Sequence, residues 1–134
     1  MYIEFARTLV LIIFITHVVL DAWGDAFRYF KRYFFSHLFE ALQVLCLLFL
    51  LYVQVEPLSI LYLIVAYGCI RFALFDPIYN VSIKQNIMYI GDTSLYDKIL
   101  GKIFNTPTKK SLMMGLRMVF LILGFWLIQY VINF

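Results

Sequence analysis

Residues 8–35, TLVLIIFITHVVLDAWGDAFRYFKRYFF, decide the fold. Thr8 to Leu20 is an apolar run interrupted only by Thr16 and His17, and Asp25 to Phe35 alternates aromatic with basic residues. The first half has the character of a membrane span. The second has that of an interfacial segment whose rings rest among lipid headgroups. A helical pattern runs through both, from Tyr2 to about Phe35, with Gly24 its only weak point. A helix of about 34 residues would reach about 50 Å, against a hydrocarbon core of roughly 30 Å, so its second half has to leave the bilayer or bend along it. The apolar run reads as a retained helix rather than a cleaved signal. Glu4 precedes it, and Asp21 and Trp23 stand where small cleavage-site residues would be expected.

Composition agrees with this reading. The 134 residues are 64% hydrophobic and 14% charged, against roughly 45–50% and about 25% in soluble domains, so lipid is the expected solvent. The expected fold class is an all-α membrane protein, with four transmembrane helices in a bundle and a short interfacial amphipathic helix between spans three and four. Residues 1–134 form one integral membrane domain, with spans at about 2–23, 38–55, 58–75 and 112–134 and the interfacial helix at about 94–104. Glu56-Pro57 marks a tight connection. After Phe75 the pattern is expected to break, with Asp76 capping a short new turn that starts at Pro77 and runs through Asn80. Ser94-Leu95-Tyr96-Asp97 resembles a capping box, and Thr106-Pro107 starts the last span.

Basic residues near span ends favour the cytoplasm. Arg28, Lys31 and Arg32 lie between spans one and two, and Lys84, Lys98, Lys102, Lys109 and Lys110 between three and four, whereas the remaining connection carries only Glu56. Both termini are therefore expected outside and both large connections in the cytoplasm.

This topology brings distant polar groups to one depth. On an ideal helix His17, Asp21, Asp25, Arg28 and Arg32 fall within an arc of about 80°. His37 and Glu40 enter span two at that end, Arg71, Asp76 and Asn80 leave span three there, and Asp92, Tyr96 and Asp97 lie in the following connection. An ionisable side chain at the centre of a span costs roughly 2.5–3.5 kcal/mol even on insertion scales, so such groups need a partner, a cavity or an ion. Three readings compete. The cluster is a hydrogen-bonded lock, with Arg71 paired to Asp21 or Asp76. Or His17, Asp21, His37 and Glu40 hold a divalent metal whose activated water attacks a membrane-borne ester, with Asp25 or Glu40 as general base. Or Arg28, Lys31, Arg32 and Arg71 bind a lipid phosphate beside Tyr29 and Tyr33.

Other chemistries lack support in the residues. No Gly-x-Ser-x-Gly elbow or phosphate-cradling glycine loop is present, and Cys46 and Cys69 lie in apolar runs without metal or redox spacing. The cations sit in an aromatic, membrane-facing context rather than on the solvent-exposed basic surface that nucleic acid requires. No apolar-flanked lysine deep in a span offers a retinal site, and His17 alone does not make a paired haem site.

The segment Arg71-Phe72-Ala73-Leu74-Phe75-Asp76-Pro77-Ile78-Tyr79-Asn80, followed by Tyr89-Ile90-Gly91-Asp92-Thr93-Ser94-Leu95-Tyr96-Asp97-Lys98, resembles small polytopic membrane proteins of bacterial and phage genomes that have no known activity. The similarity covers the middle third, with an echo in His17, Asp21, Asp25 and His37. It implies a bacterial inner membrane and keeps a phage-type lysis or oligomeric pore component among the alternatives. It implies no cofactor and no partner. The residues themselves favour a small interaction or accessory protein whose partners are membrane lipid and other membrane subunits or itself. An interfacial metal-dependent enzyme is the competing expectation.

Overall fold

The computed structural model describes residues 2–48, 57–90 and 95–131. They form helices α1 (Tyr2–Tyr29), α2 (Tyr33–Leu48), α3 (Pro57–Ser82), α4 (Leu95–Ile103) and α5 (Pro107–Val131). By length and composition α1, α3 and α5 can each cross a membrane, and α2 is a shorter apolar helix. The protein is thus all-helical and compatible with integration in a bilayer.

Side-chain pairs fix the directions of the helices. His17 meets Tyr67 and Asp21 meets Arg71, a constant offset that makes α1 and α3 parallel. Phe72 against Phe120 and Tyr62 against Tyr130 make α5 antiparallel to α3. Trp23 and Phe27 stack on Phe39, and Phe27 also on Phe35, so α2 runs back along α1. The C-termini of α1 and α3 and the N-termini of α2 and α5 therefore share one end. Arg28, Lys31, Arg32, Lys84, Lys109 and Lys110 gather at this basic end.

The core lies between α1, α3 and α5, where Val10, Phe14, Val18, Leu63, Ala66, Ile70, Leu127 and Ile128 are buried. Helix α2 stands outside it, and Ser36 is its buried residue among those described. Lipid tails are as apolar as leucine, so close packing and hydrogen bonds, rather than a hydrophobic force, hold such helices together. Gly124 is the closest approach: a Cβ there would lie 2.8 Å from Ile70 Cγ1 and 3.0 Å from the Ala66 carbonyl oxygen.

Several boundaries differ from the sequence expectation. Helix α1 does not continue to Phe35. Lys31 takes a left-handed conformation (φ 58°), its N–H donates to the Arg28 carbonyl at 2.9 Å, and the Arg32 N–H donates to the Phe27 carbonyl at 2.8 Å. That is a Schellman cap, usually built on glycine. Lys84 (φ 61°) closes α3 in the same way, through bonds from Lys84 N to Val81 O and from Gln85 N to Asn80 O. Helix α2 accordingly begins at Tyr33, before the expected Leu38, and α5 begins at Pro107, before the expected Leu112. The predicted break before Pro77 does not occur, because α3 passes through Pro77 to Ser82. Proline removes one backbone bond, but the turns before it are held by Arg117 of α5 at Asp76 and by α1 further back, at Tyr67 and Arg71. The predicted residues 49–55 of span two and 132–134 of span four lie outside the described residues. Helix α4, Leu95–Ile103, falls within the interfacial helix expected at 94–104.

Two outcomes follow from this packing. Gly124→Val is expected to destabilise the protein by at least about 1–3 kcal/mol through overpacking, measured by reversible unfolding in mixed micelles, while Gly115→Ala, whose Cβ meets nothing within 4 Å, leaves stability within about 0.5 kcal/mol. Lys31→Gly and Lys84→Gly, by removing the Cβ from a left-handed position, are each expected to stabilise by up to about 1 kcal/mol in the same assay.

Candidate functional site

Helices α1 and α3 are joined by two polar rungs one helical turn apart. On the first, the Tyr67 hydroxyl and His17 Nδ1 share a hydrogen bond of 2.8 Å, and the two rings meet edge to face. On the second, Arg71 donates from Nε at 3.1 Å and from Nη2 at 2.6 Å, both to Asp21 Oδ2. The spacing explains the arrangement, because residues four apart stack on one helix face. Gln43 of α2 donates to Asp21 Oδ1 at 3.4 Å, which ties the third helix to this rung.

Nearer the basic end, Arg28 bridges α1 and α2. It donates to Asp25 one turn back at 3.2 Å and is ion-paired with Glu40 across the helices. Glu40 in turn accepts from His37 Nδ1 at 2.9 Å. These groups are half exposed or more, so solvent screens the ion pairs and they add little stability. Their contribution is position more than stability.

A further pair joins α3 to α5. Arg117 donates from Nη2 to Asp76 Oδ2 at 2.5 Å, with only 3% of its side chain exposed, and its Nε is buried without a hydrogen-bond partner. Neither the pair nor Arg117 was expected from the sequence. The available signal was an arginine inside the fourth apolar run, a group that cannot face lipid unpaired.

The structure thus settles how the candidate residues are distributed. His17, Asp21 and Arg71 come together, and so do Asp25, Arg28, His37 and Glu40. On an unbroken α3, Arg71 is paired with Asp21 of α1 and Asp76 with Arg117 of α5. Asn80 is buried, but it donates to the carbonyls of Tyr89 (2.7 Å) and Ile87 (3.4 Å), so it fixes the connection after α3. Asp92 lies outside the described residues, as do the side chains of Tyr96 and Asp97. Lys31 and Arg32 are exposed beside Tyr29 and Tyr33 at the end of α1, as a headgroup-level anchor would be.

For metal binding the geometry is unfavourable. Among the described residues no three His, Cys, Asp or Glu side chains converge on a point that could hold an ion. His17 and Asp21 turn toward α3, whereas His37 and Glu40 turn toward Arg28, so the expected four-ligand set is split in two. Cys46 and Cys69 are both free thiols.

Because Arg117 is sealed, its removal should cost more than that of any exposed ion-pair partner. Arg117→Leu is expected to destabilise by about 3 kcal/mol by taking the buried guanidinium from Asp76, and Arg117→Leu/Asp76→Asn to recover part of the loss, read from unfolding midpoints in mixed micelles. Comparison of the chain with protein-family models, curated proteins and solved structures gives no match in any of the three.

Proposed function

We propose that the chain is a small integral membrane interaction or accessory protein of a bacterial inner membrane, and that its polar cluster is chiefly a lock that sets helix register. In this reading α1, α2, α3 and α5 cross the bilayer, both termini lie outside, and the basic end faces the cytoplasm. Helix α4 lies in the interface, with Ile99 and Ile103 directed to lipid and Lys98 and Lys102 to headgroups. The exposure of both isoleucines supports that placement.

The observation that carries the reading is that the carboxylates of α1, α2 and α3 each have a cationic partner. Asp21 is held by Arg71, Asp76 by Arg117 and Glu40 by Arg28, and His17 is bonded to Tyr67. Catalysis by Asp25 or Glu40 would need a metal-bound water within reach, and the donor groups that would hold the metal face different partners. A lock of this kind makes a rigid surface available to lipid and to other membrane subunits or a second copy.

Elemental analysis of detergent-purified protein, combined with its native mass in lipid nanodiscs, tests the proposal. The expected result is substoichiometric divalent metal, unchanged in His17→Ala/Asp21→Ala, together with a stable assembly with itself or a co-purifying membrane subunit. A stoichiometric metal lost in that variant would replace the accessory reading with an interfacial metal-dependent enzyme. A strict monomer without partners would overturn the accessory reading and exclude an oligomeric pore of the lysis type.

A further inference from the structure

The arginines inside α3 and α5, Arg71 and Arg117, are treated differently by the fold. Each has one carboxylate partner on another helix, yet Arg117 is sealed at 3% side-chain exposure while Arg71 stays open at 44%. In water this difference would mean little. Inside a bilayer the open face of Arg71 meets either hydrocarbon, which is costly for a charge, or an anionic group supplied by the membrane.

Arg71 also retains donors to offer. A guanidinium carries five N–H groups; the bonds to Asp21 run from Nε and Nη2 to a single carboxylate oxygen, and Tyr67 takes one more, which leaves the rest of the fork unused. Its carbon sits 4.4 Å from the centre of the Phe75 ring, one turn nearer the basic end, so the side chain leans toward that interface. Arg71 lies about 16 Å of helical rise before Ser82, and this lean shortens the distance to the headgroup layer.

Beside it is a groove of about 250 Å³ on the side of α3 away from the core, lined by Gly68, Arg71, Phe72, Phe75 and Asp76. Gly68 keeps the groove open, since a Cβ there would meet nothing within 4 Å. Along the helix its wall runs from Gly68 and Phe72 to the Arg71 guanidinium, which leans to the level of Phe75, and ends at Asp76, whose carboxylate is paired with Arg117. That order matches a phospholipid of the adjacent leaflet, with acyl chain and glycerol deeper and phosphate toward the interface.

From these features we infer that the α3 groove binds one phospholipid, with its phosphodiester on Arg71 and its proximal chain against Gly68 and Phe72. The inference goes beyond the accessory reading and depends on it only for naming the leaflet as the inner one. The ligand chemistry is an anionic phosphate carried on an acyl chain. A free phosphate would leave the apolar half of the groove unfilled.

Native mass spectrometry and phosphorus analysis of protein purified in mild detergent from phospholipid bilayers test it. Wild type is expected to retain close to one phospholipid per chain, and Gly68→Leu, which fills the groove without touching the packed core, to lower retention by about tenfold or more. Gly115→Leu, at an equally open glycine on α5, should retain lipid like wild type. Arg71→Gln should also lose it, but that variant strands Asp21, so Gly68→Leu decides. Wild type without bound phospholipid, equal retention by Gly68→Leu, or complete displacement by excess inorganic phosphate would each overturn the inference. None of these outcomes bears on the assembly state or metal content that tests the accessory reading.

Discussion

A charge inside a lipid-facing helix has to be answered by a group on another helix, and the rest of this structure depends on how that is done. Asp21 and Arg71 answer each other, and His17 and Tyr67 do so one turn away. One such bond fixes a point. Two, at matching spacing on parallel helices, fix both the rotation and the translation of α1 against α3. Sliding α1 by one turn would bring His17 opposite Arg71 and leave the Asp21 carboxylate facing Phe75. A slip of a single residue would swing the rungs apart by about 100°. The register is therefore chosen by the cost of stranding a polar group, which in hydrocarbon exceeds what apolar packing discriminates.

The same constraint explains why the helices are not equally secured. Helix α5 is fixed to α3 by a sealed ion pair and by the close approach at Gly124. Helix α2 is held by stacked aromatic rings, by Gln43 at long range to Asp21, and by an exposed bridge from Arg28 to Glu40. It adds no apolar side chain to the buried core among the described residues. The first arrangement joins α5 to α3 through a buried arginine and a tight backbone approach, and the second joins α2 to α1 through rings and half-exposed polar groups.

Much of this was legible in the sequence, for a physical reason. Apolar runs long enough to span a bilayer announce themselves by composition, and the depth of His17, Asp21 and Arg71 follows from their place within those runs. Depth is a property of one helix at a time. Pairing depends on how helices rotate about their axes, which sequence periodicity does not state. Asp21 was thus an expected partner of Arg71, whereas Asp76 was offered equally and proved to belong to Arg117. The caps were illegible for another reason: the left-handed positions at Lys31 and Lys84 carry no glycine, so the usual signal was missing. Pro77 gave a false signal for a helix end, since α3 continues through it to Ser82 with the preceding turns held by α1 and α5.

The placement of the rungs also divides the molecule along its length. Toward the end opposite the basic one, Val10, Phe14, Leu63, Leu127 and Val131 are buried against one another with no ion pair between helices among the described residues. Toward the basic end, directional polar bonds dominate. Dispersion contacts between helices are only marginally better than contacts with lipid chains, so the apolar half contributes fit rather than a strong attraction. The polar half supplies the directional attraction. The basic end is therefore where the bundle is most strongly specified, and Arg71 stands where the polar half meets the apolar one.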